Sequence, residues 1–104
     1  MTDTAISPPQ ISPEAARLKK LKFRSWRRGF READFILGAF ADAEVDTLSP
    51  EDLNAYERLL DQPDQPLYAW IIQTEATPAE FDHAVMRKIR TFLPKTYITV
   101  RNGG

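Results

Sequence analysis

Residues 17–43 read RLKKLKFRSWRRGFREADFILGAFADA. Leu18, Leu21 and Ser25 recur at the three- and four-residue spacing that puts side chains on one side of an α-helix. Ser12 followed by Pro13 supplies a start, with serine at the N-cap and proline at the first helical position. The spacing predicts a basic first helix to about Arg28. Gly29 is expected to stop it by taking a left-handed backbone conformation that carries no Cβ penalty in glycine. Phe30, Ala33, Leu37, Phe40 and Ala41 fall at i, i+3, i+7, i+10 and i+11, so a second helix is predicted from Phe30 to Ala43.

Outward from this pair, VDTLSPED (45–52) is a break, and Ser49, Pro50 and Asp52 start a third helix with Leu53, Tyr56 and Leu60 inward. DQPDQP (61–66) is a turn in which Asp64 can cap a short fourth helix, PLYAWIIQT, facing inward through Leu67, Tyr68, Ile71 and Ile72. Thr77 and Glu80 have capping-box spacing and open a predicted fifth helix with Phe81, Val85, Ile89 and Phe92 inward, ended by Pro94. The linkers are short, which favours antiparallel neighbours. TYITV (96–100) has strand composition but no sheet to join. The expectation is an all-α fold: one domain over residues 12–93, a small bundle of about five helices, with flexible tails at 1–11 and 94–104.

The 104 residues are 42% hydrophobic and 28% charged, enough for one small domain. Cysteine is absent, which excludes disulfides and thiolate metal sites. No apolar run approaches the roughly 20 residues that span a bilayer, so membrane insertion is not expected. Residues 1–13 contain three prolines and no Lys or Arg, unlike a secretory or transit peptide, and a bacterial cytoplasmic location is expected. Charge is unevenly spread: residues 1–31 carry net +6, residues 32–66 net −9 and residues 67–104 net +2. Such asymmetry describes either a partner surface or opposite faces that neutralise each other within the domain.

Catalytic candidates are few. His83 is the sole histidine and falls within the predicted fifth helix, where a surface or edge role is the ordinary one. The serines sit at helix starts or in loops, where capping accounts for them. No Gly-rich phosphate loop is present, and acid pairs such as Glu51 and Asp52 occupy first turns, where they complement the helix dipole. The chain is not expected to be an enzyme, nor to hold a metal or a cofactor of its own. The basic first helix, interleaved with Leu, Phe and Trp, leaves open a nucleic-acid-binding or antitoxin-like regulatory module. The acidic middle segment weighs against that reading.

The stretch WRRGFREAD (26–34) concentrates charge around the glycine. Arg27 and Arg28 would lie at the negative end of one helix, Glu32 and Asp34 in the first turn of the next, all favourable. That logic leaves Trp26, Phe30 and Arg31 unexplained, and arginine and aromatic residues are what interfaces favour.

RRGFREAD resembles the Arg-Gly-x-x-Glu signature of the SdhE-type succinate dehydrogenase assembly factors, also called flavinylation factors. LSPEDLNAYERLLDQPDQPLYAWI (48–71) is similar to that family's later block, and the likeness covers about residues 17–93 in order and spacing. The resemblance implies a five-helix bundle, and a monomer is expected. It implies binding to the flavoprotein subunit of succinate dehydrogenase, or of the related fumarate reductase, and promotion of covalent FAD attachment to a histidine of that partner. Arg28, Gly29 and Glu32 match the signature; Arg27, Arg31 and Asp34 match its surroundings. Phe30 stands where members often carry a flexible aliphatic residue such as Met. With Trp26, these residues form the expected partner-binding set, in which Arg28 and Glu32 project outward and Gly29 allows close backbone approach. A direct FAD carrier is the further alternative, without a phosphate-binding loop to support it.

Overall fold

The computed structural model describes residues 12–92. The predicted tails and TYITV lie outside the described residues, as does Leu93. Five helices follow one another: α1 Pro13–Ser25, α2 Arg31–Glu44, α3 Pro50–Leu60, α4 Asp64–Ile71 and α5 over residues 84–92. Single 3-10 turns occur at Val45–Thr47 and Ala79–Phe81, and no strand occurs among the described residues. The all-α expectation therefore holds.

Two of the sequence caps form as expected. Ser12 Oγ accepts from Ala15 N at 3.0 Å and Ser49 Oγ from Asp52 N at 3.1 Å, each with proline at the first helical position. Each satisfies one of the amides that a helix start leaves without an intrahelical partner. The inward faces meet in one core built on Leu21, Leu37, Phe40, Tyr56, Leu59, Leu67 and Ile89. Tyr56 is fully buried, and its hydroxyl lies 2.6 Å from Ser25 Oγ, which donates to Leu21 O at 2.7 Å. The Tyr56 hydroxyl also reaches Leu37 O at 3.4 Å, so α1, α2 and α3 share this polar contact. Burial pushes the Tyr56 hydroxyl far above its ordinary pKa, so it remains a neutral donor. This buried polar pair fixes the register of α1 on α3.

The start of the last helix differs from the capping-box expectation. Residues 79–81 form only a 3-10 turn, and α5 begins at residue 84. His83 is the N-cap: its Nδ1 accepts from Met86 N at 3.2 Å. Thr77 is engaged elsewhere, because Arg90 Nη2 donates both to Thr77 Oγ1 and to Trp70 O. Phe81 of this turn stacks on Trp70 with centroids 5.2 Å apart. Asp64 likewise does not cap α4: Pro63 holds that position and Asp64 is the first helical residue. Gln73 closes α4 at φ +63°, with Thr74 N bonded back to Ala69 O at 2.9 Å.

Candidate partner-binding corner

The linker between α1 and α2 is longer than the sequence implies. α1 ends at Ser25, not Arg28, with Trp26 as its C-cap, and α2 begins at Arg31 after an extended Phe30. Gly29 therefore lies in the middle of an irregular connection rather than at a helix cap. Its φ of +122° is a conformation that residues with a Cβ rarely adopt. A Cβ there would also sit 2.5 Å from Asp64 Oδ2, so the linker backbone runs directly against the start of α4.

Arg28 corrects the expectation of an outward-pointing arginine. Its side chain is only 8% exposed and lies across the α3–α4 turn. Nη1 donates to Leu60 O, Nη2 donates to Gln62 O, and Nη2 pairs with Asp64 Oδ1 at 2.9 Å. Leu60 is the last residue of α3, so the guanidinium supplies donors where a helix end leaves carbonyls unpaired and the dipole is negative. Asp34 is also occupied within the chain. Its Oδ1 accepts from Arg28 N and, at 3.1 Å, from Gly29 N. Phe30 packs edge-on against Tyr68 of α4, centroids 5.1 Å apart, instead of lying on the inward face of α2. Arg28 and Phe30 thus fasten the corner to the α3–α4 turn and to α4, while Asp34 closes the corner on itself.

Arg27, Arg31 and Glu32 are exposed, and none of the three forms an ion pair within the described residues. Trp26, 39% exposed, lies over Gly38 of α2, where any Cβ would overlap the indole ring. Its Nε1 donates to Asp42 Oδ2 at 3.1 Å and its edge meets Phe35. The corner joins an ionic foot, in which Arg28 is buried, to a charged, aromatic outer edge. Sequence reasoning offered Asp64 only as a helix cap and did not single out Gly38 or Asp42. A glycine inside an amphipathic helix is the one signal that pointed to a close contact at Gly38.

The family described as "Flavinator of succinate dehydrogenase" matches residues 19–93. The chain belongs to this family. Similar proteins include the "FAD assembly factor SdhE" of Acetobacter pasteurianus, 36% identical over 75 residues, covering 72% of this chain and 69% of that protein. The mitochondrial "Succinate dehydrogenase assembly factor 2" of Dictyostelium discoideum is 36% identical over 81 residues, 78% of this chain and 57% of its own length. The protein of that name in Danio rerio is 33% identical over 76 residues, 71% of this chain and 48% of its own. The chain thus spans about half to two-thirds of these relatives. The matched region begins inside α1 and contains the whole corner.

Membership of the family gives no support to the nucleic-acid alternative, and neither does the charge arrangement. Arg17 pairs with Glu57 at 2.9 Å, Lys22 with Asp46 at 3.1 Å, Arg24 with Asp61 at 2.7 Å and Arg28 with Asp64 at 2.9 Å. Half of the cations in residues 1–31 thereby neutralise the acidic segment, as the internal-neutralisation reading expects. No helix among the described residues is long and apolar enough to cross a membrane.

Proposed function

We propose that this chain is an assembly chaperone, without a reaction of its own. It would bind the flavoprotein subunit of succinate dehydrogenase, or of the related fumarate reductase, as a monomer in the bacterial cytoplasm. There it would favour the conformation in which FAD becomes covalently attached to that subunit. The observation that carries the reading is the family match over a corner, braced by Arg28, that leaves Arg27, Arg31 and Glu32 exposed at its edge. Glu32 accepts hydrogen bonds or an arginine from the partner, and Arg27 and Arg31 meet its carboxylates. Arg28 and Asp34 act one step back, by holding that edge in place. The effect is a population shift: the chain must bind the competent flavoprotein conformation more tightly than the others. FAD is the partner's cofactor in this reading.

The test is a strain lacking this chain, complemented with wild type, Glu32→Ala or Arg31→Ala, and read by in-gel fluorescence of covalent flavin in the flavoprotein subunit. Loss of the signal on deletion, restored by wild type and poorly by Glu32→Ala, is expected. Full flavin fluorescence without the chain refutes the function. Normal rescue by both variants refutes the site. Gly29→Arg is a poorer probe, because the positive φ and the Asp64 carboxylate make it destabilising as well.

A further inference from the structure

The cations of α1 divide by direction. With 3.6 residues per turn, Leu18, Leu21 and Ser25 point into the bundle, while Arg17 and Arg24 on one flank and Lys22 on the other reach the acidic residues of later segments. The remaining arc carries Lys19, Lys20 and Phe23, continued by Arg27 beyond the helix end. All four are exposed, and Phe23 at 58% is the most exposed large apolar side chain among the described residues. The Arg27 guanidinium sits 4.4 Å from the centroid of the Phe23 ring, and a shallow groove runs between Phe23, Ala16, Lys19 and Lys20. None of the three cations has a carboxylate partner among the described residues.

We infer that this outer stripe of α1 is a second docking site, for an acidic segment of the partner polypeptide that carries an apolar side chain. Its carboxylates would meet Lys19, Lys20 and Arg27, and its apolar group would cover the Phe23 ring. Lys20 to Arg27 spans about 10 Å along the axis, the reach of about three extended residues. A polypeptide fits better than nucleic acid. Three cations around an aromatic ring form a short patch rather than a track along phosphates, and Asp42, bonded to Trp26, lies at its end. Through Trp26 the stripe runs on to the corner, so one flavoprotein could engage both. The inference rests on the proposed function for the identity of its partner.

The experiment uses the full chain and the flavoprotein subunit in titration calorimetry at low and high salt. Compared are wild type, the double variant Lys19→Glu/Lys20→Glu, Phe23→Ala and Glu32→Ala, with thermal unfolding of each alongside. The charge reversal is expected to weaken binding about tenfold at low salt, and less at high salt. Phe23→Ala should weaken it by roughly threefold to tenfold at both. Because these side chains are exposed, the melting temperatures should match wild type. If the reversal variant does not fold, Lys19→Gln/Lys20→Gln replaces it. Wild-type affinity in the stripe variants, with Glu32→Ala still impaired, overturns the stripe and leaves the function standing. No binding by wild type overturns both. Binding of wild type to phosphatidylserine-containing vesicles or to single-stranded RNA, lost in the reversal variant while flavoprotein binding is unchanged, also overturns it and assigns the stripe to that anion.

Discussion

Removing the Arg28 side chain while leaving its neighbour Arg27 intact separates a structural arginine from an exposed one. Arg28→Ala leaves the carbonyls of Leu60 and Gln62 and the carboxylate of Asp64 without their donor. Breaking a fully buried ion pair costs about 3–5 kcal/mol. Asp64 is 35% exposed, so water recovers part of its solvation and the lower end applies, about 3 kcal/mol. For a domain of this size each kcal/mol moves the melting temperature by about 4–8 °C, so a fall of roughly 12–24 °C is expected. Arg28→Lys keeps a charge near Asp64 but cannot span all three acceptors, so it should fall between. Arg27→Ala should stay within about 0.5 kcal/mol of wild type, losing only a contact on the Phe23 ring. The assay is thermal unfolding by far-ultraviolet circular dichroism, with Asp64→Asn completing a double-mutant cycle. A change of less than about 2 °C for Arg28→Ala, or equal losses for Arg27→Ala and Arg28→Ala, would refute an inward Arg28.

Gly38→Ala should evict the Trp26 ring even though alanine is the better helix former by about 1 kcal/mol. Red-shifted tryptophan emission is expected over the constant signal of buried Trp70; unchanged emission with raised stability would contradict the packing. Gln73→Gly should stabilise by about 0.5–1 kcal/mol, because Gln73 bears a left-handed backbone, φ +63°, that glycine adopts freely. The urea midpoint should rise at constant slope, and a fall would show that the Gln73 side chain matters more than its backbone. Burial holds the His83 pKa below its ordinary 6.5. Between the lowered value and 6.5 the unfolded chain binds more protons than the folded one, so this stabilisation is complete above 6.5 and is lost as pH falls through the folded value. His83→Asn keeps a capping oxygen that does not titrate and should flatten that part of the stability–pH curve; an identical curve would remove His83 from the cap.

The helical bundle was legible because its signals are local. Ser12–Pro13 and Ser49–Pro50 each predict a cap from bonds three residues long, and both bonds form. The inward faces of α1 and α3 follow from period alone. Thr77 carried an equally good local signal and did not become a cap, because Arg90, thirteen residues away, holds its hydroxyl. Local spacing also misplaced Phe30: at the N-cap its backbone is extended, and its ring turns to Tyr68. The corner was visible as a motif, but not in its internal arrangement. Arg27 and Arg28 are adjacent arginines in an irregular linker, where no periodicity says which faces inward.

By itself the sequence determined where helices could start and break, which side chains had to be buried, and which family the glycine-centred motif resembles. Those properties depend on neighbours within about a turn of the chain, a distance that sequence order alone controls. Tertiary structure alone decided that Arg28 braces the corner and leaves Arg31 and Glu32 outside. It also decided that the acidic segment neutralises only the flanks of α1. Both outcomes turn on partners more than twenty residues distant, Asp46, Glu57, Leu60, Asp61 and Asp64, which come beside α1 and the corner only once the later segments have packed.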